Sequence, residues 1–182
     1  PCPPSPAKTG PPHAKGPPGW GGDRDVGRVA TKGGITRSND VKFDVDLRND
    51  GRPAQILRDC EVSLKALGVD RIGLYQLHSK DEHGVPLEET MGAFKQLQDE
   101  GKIAHVGLSN VTVEELERAQ KVVDIASVQN LFNPGNRDNL AMIKACEAKG
   151  IAFLPYSPLG GLGQRARDLG TTAPPPCAGV AA

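Results

Sequence analysis

The sequence predicts an α/β protein whose parallel strands form part of a (β/α)8 barrel, with about five strands in this chain. Strand-like apolar runs alternate with helix-like segments, an order that demands parallel pairing through right-handed crossovers. The apolar runs are nearly continuous, as in strands that are buried on both faces of a parallel sheet. Polar side chains end each run, which is where a barrel keeps its functional groups. The predicted strands are residues 28–32, 71–78, 103–108, 125–129 and 151–154.

The first predicted strand is followed by a polar loop and then by a helix. Pro53 suits the first turn of this helix, because its missing N–H would have no partner there in any case. Apolar residues follow at helical spacing. Gly68 is placed to close the helix in the left-handed conformation.

Three more helices are predicted between the later strands. The second runs from Pro86 and is closed by Gly101. Thr112 and Glu115 form a capping box at the start of the third, because each side chain can accept from the other residue's backbone N–H. The fourth covers residues 140–149.

An open doubly wound sheet is the main alternative to a barrel. Neither Gly-x-Gly-x-x-Gly nor Gly-x-x-x-x-Gly-Lys-Ser/Thr follows any predicted strand, so the usual phosphate-binding motifs of open sheets are absent from the sequence. A complete barrel has eight strands and about 200–250 residues. We therefore predict a partial barrel, and we expect that this chain, which begins with Pro1 rather than Met, is truncated or incomplete.

Composition divides the 182 residues into three parts. Residues 1–25 contain eight Pro and five Gly but no Val, Ile, Leu, Met or Phe, so they cannot bury enough apolar surface to offset the entropy of ordering. Residues 162–182 are similarly rich in small residues and Pro. We predict that both ends are disordered and that residues 26–161 form the folded barrel segment.

Charge and cysteine content exclude several classes of protein. The 22 basic and 22 acidic side chains balance, which argues against nucleic acid or an anionic membrane as the main partner. No apolar run approaches the length of a spanning helix, and no secretory signal opens the chain. The four Cys are scattered without a Cys-x-x-Cys pair, so neither a disulfide framework nor a zinc site is predicted. A cytoplasmic protein of undetermined oligomeric state is expected.

Lys32 and His78 are the candidates for acid–base chemistry. Lys32 ends the first strand and precedes Gly33, where it is either a solvated strand-end lysine or a cation held in a cleft. His78 closes the second strand, where it is either an ordinary boundary residue or a group that points into the barrel mouth. In the second case strand alternation turns Tyr75 toward the helices.

The three remaining predicted strands also end in candidate binding residues. Ser109 and Asn110 are turn formers, so they fit an ordinary loop as well as a site. Gln129 and Asn130 form a polar amide pair that ends a buried strand, where the pair needs partners that a ligand amide could supply. Tyr156 precedes a Pro- and Gly-rich loop over residues 157–161, which is either a tight turn or an approach to a phosphate.

Five blocks of this chain resemble the aldo/keto reductase family, over residues 26–161. The blocks are Val29-Ala30-Thr31-Lys32; Leu64-x-x-Leu67-Gly68-Val69-Asp70-Arg71-Ile72 continuing into Leu74-Tyr75-Gln76-Leu77-His78; Glu100-Gly101-Lys102-Ile103 with Val106-Gly107-Leu108-Ser109-Asn110; Val128-Gln129-Asn130; and Pro155-Tyr156-Ser157-Pro158-Leu159. The resemblance implies an NADP(H)-dependent oxidoreductase that reduces a small carbonyl substrate on a (β/α)8 barrel.

The resemblance also implies roles for single residues. In the family a nicotinamide delivers hydride to the carbonyl carbon, a Tyr assisted by a Lys–Asp pair donates the proton, and a His orients the carbonyl. Lys32 matches that lysine and His78 that histidine. The residues that match the cofactor-binding positions are Ser109, Asn110, Gln129, Tyr156, Ser157, Pro158 and Leu159.

The match is incomplete before Lys32. The family's catalytic Asp and Tyr belong to a segment that precedes this lysine, and here that stretch is rich in Pro and Gly. We therefore expect the activity of this chain to be impaired. A non-catalytic nucleotide-binding or regulatory role is the alternative, since the family includes regulatory subunits of ion channels. A third possibility is a polyproline ligand over residues 1–18.

Overall fold

The computed structural model describes residues 29–37 and 47–160. The strands are β1 Ala30–Gly33, β2 Ile35–Arg37, β3 Leu47–Asn49, β4 Ile72–Leu77, β5 Ile103–Ser109, β6 Ile125–Gln129 and β7 Ala152–Phe153. The helices are α1 Pro53–Leu67, α2 Leu87–Asp99, α3 Val113–Gln120 and α4 Leu140–Lys149. The predictions made for residues 1–25 and 162–182 lie outside the described residues.

Five strands form one parallel sheet in the order β1-β4-β5-β6-β7, with a helix in each crossover. This confirms the predicted α/β class and the five parallel strands of a partial barrel. The predicted polar loop after β1 is wrong in part, because β2 and β3 pair antiparallel within it. Each of these two strands has three residues, which is too short to produce a detectable alternation.

The helix boundaries follow the local signals with one exception. Gly68 and Gly150 adopt left-handed φ values of 65° and 67° and end α1 and α4. The capping box at the start of α3 is formed in both directions. The prediction that Pro86 begins α2 is wrong by one residue, because Pro86 is its N-cap. Among the described residues no helix is both long and apolar enough to cross a membrane.

The apolar core lies between the sheet and the helices. Helix-facing side chains of the strands are fully buried, and the Tyr75 ring centroid is 5.1 Å from that of Phe94 on α2. The prediction that Tyr75 points toward the helices is therefore confirmed. Each such side chain contributes about 1.5–3 kcal/mol on full burial. The strand residues buried on this outer face are Tyr75, Leu77, Val106, Leu108 and Val128.

The opposite, inner face of the sheet is polar toward the carboxyl ends of the strands. Strand register aligns Lys32, Gln76, Gly107 and Ser127 on consecutive strands β1, β4, β5 and β6. Gln76 Nε2 donates to Ser127 Oγ at 3.2 Å, and the two side chains meet over Gly107. A Cβ on Gly107 would lie 2.5 Å from Ser127 Oγ and 2.8 Å from Gln76 Cγ, so this position requires glycine. This row forms the floor beneath the strand ends.

Candidate active and cofactor site

Lys32 and His78 lie on adjacent strands at the carboxyl edge of the sheet. The Cα of Lys32 pairs with that of Gln76, two residues before His78 and on the same face. The His78 backbone N–H donates to the Gly33 carbonyl at 3.0 Å, which joins His78 directly to the residue that follows Lys32. Both side chains are half-buried. The structure thus places these two predicted residues on neighbouring strands, on one face and at one edge of the sheet.

Burial shifts the ionisation of both groups, and the charge of Lys32 also acts on His78. Burial lowers the pKa of His78, and the nearby positive charge of Lys32 lowers it further. Burial also lowers the pKa of Lys32. At neutral pH the imidazole is therefore neutral, and it can donate a hydrogen bond from one ring nitrogen. Neither the Lys32 amine nor the His78 ring has a hydrogen-bond partner among the described residues.

The end of β1 is fixed from the helix side. A Cβ on Gly33 would lie 2.0 Å from the Tyr75 hydroxyl oxygen, so only glycine allows this close approach. The Gly34 N–H donates to Asp59 Oδ2 on α1 at 2.8 Å, and Gln55 Nε2 donates to Asp59 Oδ1 at 2.6 Å. Burial raises the pKa of Asp59, and these hydrogen bonds offset only part of the shift.

The ends of β5 and β6 are joined by side-chain hydrogen bonds. Ser109 Oγ donates to the Gln129 carbonyl at 2.8 Å, and the Asn110 backbone N–H donates to the same oxygen at 3.1 Å. Asn110 adopts a left-handed φ of 58°, which is unusual for a residue with a side chain. Its Nδ2 donates to the His78 carbonyl at 3.0 Å and to Ser109 Oγ at 3.2 Å. Asn110 therefore links the candidate binding residues Ser109 and Gln129 to the end of β4.

Tyr156 joins the same group of residues from the segment after β7. Its hydroxyl donates to Asn110 Oδ1 at 2.9 Å. Its backbone N–H donates to the Asn130 carbonyl at 3.1 Å, so the chain continues to follow β6. The structure thus brings Ser109, Asn110, Gln129 and Tyr156 together at the carboxyl ends of three neighbouring strands.

One polar atom in this group has no partner. Gln129 Oε1 is the one buried side-chain oxygen or nitrogen in the described ranges that forms no hydrogen bond. Leaving such an acceptor unpaired costs about 1–3 kcal/mol, so it requires an explanation. A ligand amide would supply the missing donor, and this donor chemistry fits the carboxamide of a nicotinamide.

The loop after Tyr156 begins with a tight turn. Ser157 has a left-handed φ of 50°, and its carbonyl accepts from the Gly160 N–H at 2.8 Å. Asn133 Nδ2 donates to the same carbonyl at 3.2 Å and holds the turn against the loop after β6. Pro158 is exposed, and Leu159 is 77% exposed. The Ser157 turn thus lies next to the site, whereas the following two side chains face solvent.

Comparison with known proteins identifies the family. The sequence model of the aldo/keto reductase family matches residues 14–176. The chain belongs to the aldo/keto reductase family.

Two relatives show what share of a family member's length the chain covers. An uncharacterised oxidoreductase of Schizosaccharomyces pombe is 40% identical over 131 residues, which are 72% of this chain and 41% of the relative. A probable aldo-keto reductase of Glycine max is 36% identical over 138 residues, which are 75% of this chain and 38% of the relative. The chain therefore spans less than half the length of these relatives.

Solved aldo/keto reductases share the fold. The glycerol dehydrogenase of Gluconobacter oxydans superposes with a TM-score of 0.68 at 27% identity, covering 75% of this chain and 43% of that protein. The aldo/keto reductase of Klebsiella pneumoniae, solved with NADP and acetate, gives a TM-score of 0.58 at 30% identity and covers 65% of this chain and 42% of that protein.

The family's tyrosine acid is not matched by either tyrosine of this sequence. Tyr75 is fully buried against α2 on the outer face, and burial raises the pKa of its hydroxyl. The hydroxyl of Tyr156 donates to Asn110. Within the described residues, neither tyrosine hydroxyl forms a hydrogen bond with the side chain of Lys32 or His78.

Asn130 differs from Gln129 in the amide pair that the sequence predicts, because protein groups satisfy it: it is 3% exposed and bonds to the turn after β5. The sequence analysis missed one buried residue beside the site, which is Asp59. Asp59 is 7% exposed on α1, on the same face as the apolar Ile56 and Cys60. A polar residue within an apolar helical stripe is a signal that the sequence carries, and it could have identified Asp59.

Proposed function

We propose that this chain is an NADP(H)-dependent oxidoreductase that reduces the carbonyl group of a small aldehyde or ketone. The observation that carries the proposal is the unpaired Gln129 Oε1, buried among residues that match the family's nicotinamide site. Balanced charge over the chain supports a small-molecule substrate rather than nucleic acid or a membrane surface. A cytoplasmic location is proposed as well, and the free, buried Cys60 and Cys146 are consistent with it.

Four residues of the chain would form the nicotinamide end of the cofactor site. Gln129 Oε1 would accept from the carboxamide N–H, which would satisfy the buried oxygen. Asn110 and Ser109 fix the strand end beside it through their bonds to Gln129 and His78. The Tyr156 ring, held by its hydroxyl bond to Asn110, lies within the same group of residues. When bound, NADP(H) supplies the hydride.

Lys32 and His78 would act on the substrate. The neutral His78 ring donates a hydrogen bond to the carbonyl oxygen and orients it. Negative charge develops on that oxygen as the carbonyl carbon gains hydride, and the Lys32 cation stabilises this charge in a half-buried setting. The oxygen then takes up a proton from solvent water to complete the alcohol.

We propose that proton donation limits turnover in this chain. The hydroxyls of Tyr75 and Tyr156 are both directed elsewhere, and a positioned general acid contributes about 10²–10⁴-fold. The same observation favours the second candidate function, which is nucleotide binding without catalysis.

The first test measures cofactor binding. NADPH is titrated against the protein through its own fluorescence, and Gln129→Leu is compared with the original residue. We expect binding to weaken about 10-fold, because the variant loses the acceptor without changing side-chain size greatly. Gln98→Leu is the matched control, since Gln98 bonds to the Ala104 carbonyl at the other end of β5. Equal NADPH affinity in all three proteins would contradict the proposed site.

The second test separates the two functions. NADPH oxidation with 4-nitrobenzaldehyde is followed for the chain itself and for Lys32→Met and His78→Ala. Turnover that falls in both variants supports reduction, whereas NADPH binding without any turnover supports the non-catalytic function.

A further inference from the structure

Asn130 forms an unusual contact with the turn after β5. Its Oδ1 accepts from the Val111 N–H at 3.2 Å, and its Nδ2 donates to the Val111 carbonyl at 2.7 Å. A side-chain amide therefore pairs with both backbone groups of one residue, as a neighbouring strand would. Asn130 is 3% exposed, so these bonds are shielded from water.

The turn that Asn130 holds contains the strained residue of the candidate cofactor site. Asn110 has its left-handed φ of 58° between Ser109 and Val111. Ser109 and the Asn110 N–H are bonded to the Gln129 carbonyl on one side, and Val111 is bonded to Asn130 on the other. Strained backbone persists only where its surroundings enforce it. Two consecutive residues at the end of β6 thus enforce the conformation of Asn110.

Asn139, the N-cap of α4, takes part in the same arrangement. An N-cap Asn ordinarily accepts from the first helical N–H groups, yet Asn139 makes no such bond. Its Oδ1 instead accepts from Asn130 Nδ2 at 2.8 Å, and its Nδ2 donates to the Leu131 carbonyl at 3.0 Å. Helix α4 therefore begins without a side-chain cap, because the Asn139 side chain forms the third hydrogen bond of Asn130 instead.

We propose that Asn130 is a positioning residue for the nicotinamide end of the cofactor site, an inference that rests on the proposed function. It acts through Val111 by keeping Asn110 in the left-handed conformation. In that conformation the Asn110 side chain hydrogen-bonds to Tyr156, to Ser109 and to the His78 carbonyl at the end of β4. The unpaired Gln129 Oε1 belongs to the same group of residues. Asn130 itself touches neither substrate nor cofactor.

The experiment is a double-mutant cycle on NADPH affinity. Asn110→Ala, Asn130→Ala and the double variant are titrated with NADPH at a temperature at which all are folded. We expect Asn130→Ala to weaken binding about 10-fold, the effect of about 1.4 kcal/mol. Because Asn130 acts through Asn110, the double variant should bind little more weakly than Asn110→Ala.

Two further variants separate positioning from general destabilisation. Thr90→Ala removes an equally buried side-chain bond, from Thr90 on α2 to the Gly51 carbonyl at 2.7 Å, and neither residue hydrogen-bonds to Asn110, Asn130 or Asn139. It should lower the melting temperature and leave NADPH affinity unchanged. Asn139→Ala removes the third bond of Asn130 together with the bond from Asn139 Nδ2 to the Leu131 carbonyl, and it leaves both bonds between Asn130 and Val111 in place. It should weaken NADPH binding about 2- to 3-fold, and it replaces Asn130→Ala in the experiment if that variant does not fold.

The outcomes distinguish the two proposals. Failure of the unmodified chain to bind NADPH would overturn the proposed function and this inference with it. NADPH binding that is unchanged in the Asn130 and Asn139 variants, or additive losses in the double variant, would overturn the role of Asn130 alone.

Discussion

The two halves of the candidate site are held in different ways. At the ends of β5 and β6, side chains bond to the backbone of the neighbouring strand, as Ser109 does with Gln129 and Asn130 with Val111. At the ends of β1 and β4, no described residue hydrogen-bonds to the Lys32 amine or to the His78 ring. There the sheet backbone, burial and charge define the geometry.

This difference predicts how each half responds to change. In the half formed by β5 and β6, one substitution alters several bonds, because the side chains of Asn110 and Asn130 each form three hydrogen bonds. In the half formed by β1 and β4, the side chain of Lys32 or His78 can be replaced without breaking a hydrogen bond to another described residue. Variants there should change chemistry and leave cofactor binding and folding largely intact.

The largest expected effect is on turnover. Lys32→Met and His78→Ala should each lower the rate of aldehyde reduction by about 10²–10⁴-fold relative to the unmodified chain, because each removes a group that stabilises the developing oxyanion. NADPH affinity should change less than about 2-fold, since neither side chain bonds to β5 or β6. The measurement is NADPH oxidation together with fluorescence titration. A parallel loss of NADPH affinity would show that the two halves are not separate.

The next largest effect is on stability at the end of β1. Gly33→Ala places a methyl group 2.0 Å from the Tyr75 hydroxyl oxygen, and we expect the free energy of unfolding to fall by about 3 kcal/mol. Denaturant unfolding gives this value. Gly92→Ala is the matched control, because the position on α2 is open and the change should stabilise the helix by about 0.5–1 kcal/mol.

A second variant tests the cause of that loss. Tyr75→Phe removes the nearest atom, although the ring carbon at 2.7 Å remains. Combined with Gly33→Ala it should recover about half of the lost stability. No recovery would mean that the approach of Gly33 to Tyr75 is not what fixes the end of β1.

The sequence predicts the parallel sheet well because its signals are local. Continuous apolar runs, helical spacing and terminal glycines such as Gly68 and Gly150 each act within a few residues, and the structure agrees with them. The hairpin of β2 and β3 lacks such a signal, because its strands have three residues each.

The detailed geometry of the site depends on contacts that are distant in sequence. The polar ends of the strands indicate where Ser109, Asn110 and Gln129 meet, but no local pattern predicts that Asn130 pairs with Val111, 19 residues earlier. The bond between Asp59 and Gly34 spans 25 residues in the same way. Such pairings require the register of neighbouring strands and helices, which a single sequence does not specify.

A smaller effect is expected from Gln129→Leu on stability without cofactor. The variant removes a buried acceptor that has no partner among the described residues, so the free energy of unfolding should rise by about 1 kcal/mol while NADPH binding weakens. Thermal or urea unfolding measures this. Gln98→Leu, which loses a bond to Ala104, should show no such gain. A destabilised Gln129→Leu protein would mean that the oxygen is satisfied in solution and that its role in binding needs revision.

The smallest effect concerns the ionisation of His78. Burial and the charge of Lys32 both lower the pKa of His78 below its usual 6.5, and burial is the larger cause. Lys32→Met removes only the charge, so the pKa of His78 should rise while it stays below 6.5.

As pH falls from 6.5, the unfolded chain takes up its proton on His78 before the folded chain does, so the free energy of unfolding declines across the interval down to the pKa of His78 in the folded chain. Because Lys32→Met raises the pKa of His78 in the folded chain, it narrows this pH interval. The variant should therefore lose less stability than the unmodified chain on mild acidification. NMR titration of the imidazole and urea unfolding at several pH values measure the two quantities, with Lys65→Met, an exposed lysine at the end of α1, as the control. An unchanged His78 titration in Lys32→Met would mean that the two side chains do not share one cleft.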